Sequence, residues 1–337
     1  MGAPFLKVVT VFGGTGFIGR YVVREMARRG WRVWVATRNP GDALFLKPMG
    51  SVGQIVPVFA NIRDDASVAA AVAGADFVVN LVGILYEKGK DTFAAIHQDG
   101  ARRVAQAAMD AGCSRLIHVS AAGASPSSES HYARSKASGE QAVFNAFPDA
   151  TVLRPSIVFG PEDDFFNRFA GLARVLPFLP LIGGGGTRFQ PVYVADVAAA
   201  VAACLDRPET KGQTYELGGP NVYSFKELMQ LLLKETDRRR PLVSVPWSLA
   251  SFKAGLLGLL PKPPLTRDQV ALLRQDNVVA QGSQGLQTLG IEPTSVEIVL
   301  PTYMDRYRIG GRFKTRRPST GMSEIHGAGK APSDRSG

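Results

Sequence analysis

The sequence predicts an α/β fold: a doubly wound parallel sheet with a small, mostly helical C-terminal lobe interleaved with it. Two observations predict it. The first is Val8-Val9-Thr10-Val11-Phe12 followed by Gly13-Gly14-Thr15-Gly16-Phe17-Ile18-Gly19, an apolar strand running into a glycine-rich turn that opens a helical pattern. The second is the alternation of short apolar runs with helix-spaced segments over the next hundred residues, which calls for helices on both faces of the sheet and right-handed crossovers. Together they describe a Rossmann-type, dinucleotide-binding architecture.

Each element has its own justification. In the first turn Gly13 allows the tight bend, Gly16 lets backbone approach a pyrophosphate, and Gly19 lets helix and strand pack closely. Thr15, Phe17 and Ile18 complete the turn, and the helix start offers free N–H groups and a favourable dipole to the anion. A glycine loop without a ligand is the bland alternative. Arg32–Thr37, Gln54–Phe59, Phe77–Asn80, Arg115–Ser120 and Thr151–Pro155 read as buried strands. Tyr21–Arg29, Asp65–Val72, Asp91–Ala111 and Tyr132–Phe147 read as helices between them. Ligands of such a sheet bind beyond the carboxyl ends of its strands, where the turns after Phe12, Thr37, Asn80, Ser120 and Pro155 fall.

Past Gly160 the pattern loosens. Phe165–Leu176 and Ala195–Cys204 look helical, and Thr214–Gly218 adds a late strand. Ser224-Phe225-Lys226-Glu227 and Thr294-Ser295-Val296-Glu297 read as capping boxes. The expected organisation is a dinucleotide-binding domain over 1–160 with return segments near 190–219. A small lobe follows from 161–189 and 220–310, then a basic tail over 311–337.

Composition narrows the function classes. The 337 residues carry a net charge of +10 and two cysteines, Cys113 and Cys204, at no metal or redox spacing. Both fit buried positions in a reducing compartment, and no metal site is expected. No secretory leader or transit peptide precedes the glycine motif, so a bacterial chain or an already processed one is expected. In the tail six basic side chains, Arg312, Lys314, Arg316, Arg317, Lys330 and Arg335, oppose only Glu324 and Asp334. Its Gly, Ser and Pro content predicts disorder unless a partner orders it. Basic faces interleaved with aromatics are missing, so nucleic acid is not an expected partner; an acidic protein or anionic lipid surface is. Pro246–Pro261 is apolar apart from Lys253, yet its fourteen inner residues reach only about 21 Å as a helix, short of a bilayer core of about 30 Å. It reads either as a core helix of the second lobe or as a helix lying on a membrane surface.

Tyr132-Ala133-Arg134-Ser135-Lys136 places a tyrosine and a lysine on one helix face. In a reductase of this architecture the tyrosine is the general acid or base, and the nearby ammonium lowers its pKa while bonding the nicotinamide ribose. Ser120, twelve residues earlier at a strand end, supplies a hydroxyl for a substrate oxygen. Cofactor choice follows from the second strand. Sites that prefer NAD place an acid at its end, whereas Ala36-Thr37-Arg38-Asn39 has none. Arg38 offers a planar charged fork suited to a 2′-phosphate, with Arg20 beside it, so NADPH is the expected cofactor.

These residues resemble the extended, atypical branch of the short-chain dehydrogenase/reductase superfamily. The likeness runs through Gly13–Gly19, Asn61-Ile62-Arg63-Asp64, Asn80-Leu81-Val82-Gly83, Tyr132–Lys136, Arg154–Gly160 and Pro191–Asp196. It implies that Asn61 and Ile62 lie beside the adenine, Leu81, Val82 and Gly83 along the cofactor, and Pro155 and Ile157 at the nicotinamide. His97 stands where the family commonly has Asn, and the loop before the tyrosine is cut to Ala124–Ser130. Within the branch, Val11–Tyr21, His118–Ala121, Tyr132–Glu140 and Arg154–Gly160 are similar to the NADPH-binding accessory subunits of respiratory complex I. That resemblance implies a non-catalytic subunit whose partners are other complex I subunits of the peripheral arm and membrane junction. It would sit at the cytoplasmic face of a bacterial inner membrane or the matrix face of a mitochondrial one, with membrane-surface contact through 246–264. Two alternatives stay open: an active NADPH-dependent reductase or nucleotide-sugar epimerase, and a binding module that senses NADPH against NADP.

Overall fold

The computed structural model describes residues 7–257 and 266–311. The tail beyond Gly311, and residues 258–265 of the apolar stretch, lie outside the described residues.

Six strands arise as the apolar runs require: β1 (Val8–Phe12), β2 (Arg32–Thr37), β3 (Ile55–Phe59), β4 (Phe77–Asn80), β5 (Arg115–Val119) and β6 (Thr151–Pro155). Of the shorter strands β7 (Val158–Phe159), β8 (Leu179–Ile182), β9 (Arg188–Phe189), β10 (Val192–Tyr193), β11 (Thr214–Leu217), β12 (Tyr223–Ser224) and β13 (Leu242–Val245), only β11 joins them. The seven-stranded sheet has the order β11-β6-β5-β4-β1-β2-β3 and is parallel throughout. Strand order reverses between β1 and β4, the switch point at which such sheets open a crevice for ligands.

Helices α1 (Phe17–Arg28) and α6 (Val194–Asp206) cover one face, packing Val22, Val23, Met26, Val197 and Val201 against Val9, Val11, Val33 and Val35. Helices α2 (Asp65–Val72), α3 (Ala101–Asp110) and α4 (His131–Ala146) cover the other around Phe12, Val68, Val78, Val104, Leu116 and Val143. The helix expected over Asp91–Ala111 begins later. Asp91 closes a small hairpin on Lys88, and Ala94–Gly100 coil as a π-helix before α3. Such wide turns displace a side chain from regular helical register and recur at functional sites; here the displaced residue is His97.

The second lobe gathers α5 (Phe166–Val175), α7 (Phe225–Glu235) and α10 (Val296–Met304) around Phe166, Phe225, Leu228 and Leu300. Ser224 and Glu227 form the capping box that opens α7. The second expected box does not form. Ser295 precedes α10 with no side-chain cap, because the N–H and hydroxyl of Thr294 both go to the Asp196 carboxylate of α6. A box that the sequence reading missed, Thr266 with Gln269, opens α9 (Arg267–Leu272).

The apolar stretch forms α8 (Trp247–Leu257). Ala250 and Ala254 are buried against Val270 of α9, while Leu249 and Phe252 stay 44% and 64% exposed. This helix is therefore half packed and half open, and no helix among the described residues is long and apolar enough to cross a membrane.

Candidate functional site

At the switch point the glycine turn is built as the spacing requires. Gly13 has φ +77°, and a Cβ there would stand 3.1 Å from the Leu81 carbonyl carbon after β4. A Cβ at Gly19 would lie 2.2 Å from the Gly13 carbonyl oxygen, so α1 approaches the turn at a distance only hydrogen allows. Gly16 is the N-cap of α1 and brings no side chain to its first-turn N–H groups. That leaves donors and dipole open to an anion. Leu81 bonds Phe12 through its N–H, and the Val82 N–H goes to the Asn80 side chain, holding 81–83 along the crevice.

The residues expected at the adenosine end follow β2 and β3. Arg38 follows β2, two-thirds exposed, with Nη1 3.0 Å from Asp91 Oδ2. Asn61 turns its side chain onto the Arg63 N–H, and Ile62 is buried in the core under Gly100. Arg20 does not join Arg38 on a common partner. Its Nη1 is 3.6 Å from Glu162 and its guanidinium lies over the Phe45 ring, so the expectation that Arg20 assists at a 2′-phosphate is not supported.

Lys136 and Ser120 lie at the end of β5, and Tyr132 stands one turn before Lys136 on α4. Lys136 is 4% exposed and donates from Nζ to the Val119 carbonyl at 2.9 Å. Burial lowers its pKa to about 8, against the pull of Glu140 one turn on. An ammonium with one protein acceptor has donors to spare for a ribose diol. Ser120 follows Val119, buried, and its hydroxyl has no hydrogen-bond partner among the described residues. Tyr132 sits edge-on to His97 and Phe93, at 5.4 Å and 6.0 Å between ring centres. Burial pushes its phenol up to about 12. The expected lowering by Lys136 is thus not seen; the ammonium is committed to β5 and burial dominates.

His97 is buried to 1%, not a surface residue. Its Nε2 accepts the Ile84 N–H at 3.0 Å, and Nδ1 is 2.8 Å from the Ser135 hydroxyl, which leaves Nδ1 as the protonated nitrogen. Burial and the Lys136 charge depress its pKa to about 3.

Pro155 ends β6 and takes the Ala122 N–H on its carbonyl. The Ile157 N–H is already taken, at 2.7 Å, by the Asn277 side chain. Asn277 and Asp268 are site residues that the sequence reading missed. Asp268 of α9 receives the Ser130 hydroxyl at 2.9 Å and the His131 and Tyr132 N–H groups at 2.6 and 3.1 Å, so it caps the helix that carries Tyr132 and Lys136. The Thr266–Gln269 box is a local pattern, but the partners of Asp268 lie more than a hundred residues away and no local signal points to them. Removing this carboxylate by Asp268→Ala is expected to cost about 1–2 kcal/mol, the usual scale of a lost N-cap. Faster hydrogen exchange at the amides of residues 131 to 133 is the check, and unchanged protection there would refute the capping role.

The fold and these side chains define a nucleotide-binding protein of the short-chain dehydrogenase/reductase class. The sequence pattern of the NAD dependent epimerase/dehydratase family matches residues 9–218, and the chain belongs to that family. It is a homologue of a complex I subunit: it is 39% identical, over 90% of its length and 79% of the relative's, to NADH dehydrogenase (ubiquinone) 1 alpha subcomplex subunit 9, mitochondrial, of Arabidopsis thaliana. The Rattus norvegicus protein of the same name is 38% identical over 89% of this chain and 80% of its own. Among solved structures, dTDP-glucose 4,6-dehydratase DesIV from Streptomyces venezuelae, with NAD and TYD bound, superposes with a TM-score of 0.66. That match covers 89% of this chain and 96% of the other at 20% identity, a likeness of fold.

Proposed function

We propose that this protein is a non-catalytic accessory subunit of respiratory complex I, that it holds NADPH, and that it supports the peripheral arm where the arm meets the membrane. The observation that carries the reading is the likeness to complex I subunits over nearly the whole chain, second lobe included, and not over the nucleotide half alone. The residues present fit the cofactor. The bare N-terminus of α1 would take the pyrophosphate, Lys136 the nicotinamide ribose, and Arg38, in a strand end without an acid, the 2′-phosphate.

NADPH supplies a hydride in the reductases of such a family; in this protein it would contribute binding energy. A nucleotide that binds only the folded state stabilises it by mass action, by about 2.7 kcal/mol at a hundredfold excess over Kd. Partners would then be other complex I subunits of the peripheral arm and membrane junction. The exposed Leu249 and Phe252 of α8 support contact with the membrane surface, at the cytoplasmic face of a bacterial inner membrane or the matrix face of a mitochondrial one.

Gentle purification from membranes, with identification of the partners and assay of the retained nucleotide, tests this directly. Tyr132 and Lys136 would hold the ribose and nicotinamide without proton transfer, so Tyr132→Phe is expected to leave co-purification with the peripheral arm intact. A chain recovered alone that exchanges NADPH rapidly would refute the structural role. One observation favours a second reading, an NADPH-dependent reductase or nucleotide-sugar epimerase: the Ser120 hydroxyl is buried without a partner, beside Lys136. In that case Tyr132→Phe abolishes turnover of a carbonyl or nucleotide-sugar substrate.

A further inference from the structure

The charges around Arg38 carry an inference that rests on the NADPH reading and deepens it. Arg38 at the end of β2 and Arg63 after β3 converge on one carboxylate, that of Asp91 in the loop between β4 and the π-helix. The two contacts differ in kind. Arg38 Nη1 donates to Asp91 Oδ2 at 3.0 Å, a formed hydrogen bond. Arg63 Nε stands 3.4 Å from Asp91 Oδ1, and both atoms are buried with no hydrogen-bond partner among the described residues. Buried charged atoms left unbonded at this range are costly, and the cost is removed by an acceptor that reaches both guanidinium groups.

Asp91 is held in a tight hairpin with Lys88, through paired backbone bonds of 3.0 Å around Gly89 at φ +57°. Lys88 and Lys90, on either side of its tip, are exposed. Two guanidinium groups thus share one carboxylate, while Glu87, the other acid of the loop, accepts the Phe93 N–H. An anion with more charge and more oxygens than a carboxylate satisfies this arrangement better.

We propose that Arg38 and Arg63 form a two-arginine site for the 2′-phosphate of the adenosine ribose, and that Asp91 is the internal anion which fills it until the phosphorylated nucleotide displaces it. Arg63 is then a specificity-determining residue beside Arg38, and Asp91 opposes binding of the phosphorylated nucleotide while leaving the unphosphorylated one untouched.

The test is titration of the full chain with NADPH and with NADH at fixed ionic strength, for wild type, Arg63→Gln, Arg38→Gln and Asp91→Asn. Arg63→Gln and Arg38→Gln are each expected to weaken NADPH at least about tenfold and to leave NADH within about twofold. Asp91→Asn is expected to tighten NADPH by about three- to tenfold, again with NADH unchanged. The hairpin survives this substitution because its bonds are backbone ones. Equal losses for both nucleotides in Arg63→Gln would overturn the proposal, as would an unchanged or weakened NADPH affinity in Asp91→Asn. Weakening there would make Asp91 a clamp on the bound nucleotide. Should wild type bind NADPH and the variants fail in these ways, the assignment of Arg63 and Asp91 falls while the cofactor reading stands. A wild type that takes up neither nucleotide overturns both.

Discussion

Gly19→Ala is expected to destabilise the chain by about 3 kcal/mol or more, and to lower the thermal midpoint by about 4 °C or more. The added methyl would lie 2.2 Å from the Gly13 carbonyl oxygen and 2.6 Å from the Gly14 Cα. Both are backbone atoms of the turn itself, so no rotamer change relieves the overlap. Relief requires α1 to lift from β1, which pulls Val22, Val23 and Met26 out of the core face that they fill. Nucleotide uptake should be lost with it, because the open N–H groups belong to the displaced helix end. Gly171→Ala in α5 is the control. No atom stands within 4 Å of a Cβ there, and it should stabilise by roughly 0.5–1 kcal/mol. Similar melting behaviour for the two variants would sink the steric account.

The second large effect is acid instability through buried neutral histidine. His97 titrates at about 3 in the folded chain against an ordinary 6.5. Between those values the unfolded chain binds the proton and the folded one does not. The stabilisation is therefore complete above pH 6.5 and is lost as pH falls toward 3, by about 5 kcal/mol in all. His118, buried on β5 beside Asn80 and also pushed down by burial and by Lys136, adds to the same slope. His97→Asn should remove the His97 share and leave that of His118. The measurement is urea unfolding at pH 7 and pH 4.5; the wild type should lose roughly 3 kcal/mol more over that interval than the variant. Parallel losses in both proteins would show that His97 is protonated in the native state. Lys136 has the same sign in a higher window: with its folded pKa near 8 and the usual value near 10.5, stability rises as pH rises between them.

Much of the fold was legible because its signals are local. Strand ends Phe12, Thr37, Asn80 and Pro155 are where the apolar runs stop, and the glycine turn stands between strand and helix as its spacing demands. The Ser224–Glu227 box formed because both its bonds lie within one turn. The Thr294–Glu297 pattern is equally good locally and failed because Asp196, in a different helix, offered Thr294 a carboxylate. Arg20 was adjacent in sequence to the cofactor turn, yet Glu162 and Phe45 draw it elsewhere. His97 was visible in sequence only as a histidine where the family commonly has Asn; its bonds to Ile84 and Ser135 come from the π-turn that carries it.

The sequence by itself determined the parallel sheet, the crevice at its carboxyl edge, the Tyr132–Lys136 helix face, and the absence of an acid at the end of β2, since each depends on residue type and short-range spacing. Only the tertiary structure decided how those groups are charged and held. Burial, not the Lys136 ammonium, sets the Tyr132 phenol; Asp268 caps the site helix from the second lobe; Asp91 is brought onto Arg38 and Arg63. These depend on desolvation and on partners far apart in the chain, which no local pattern encodes.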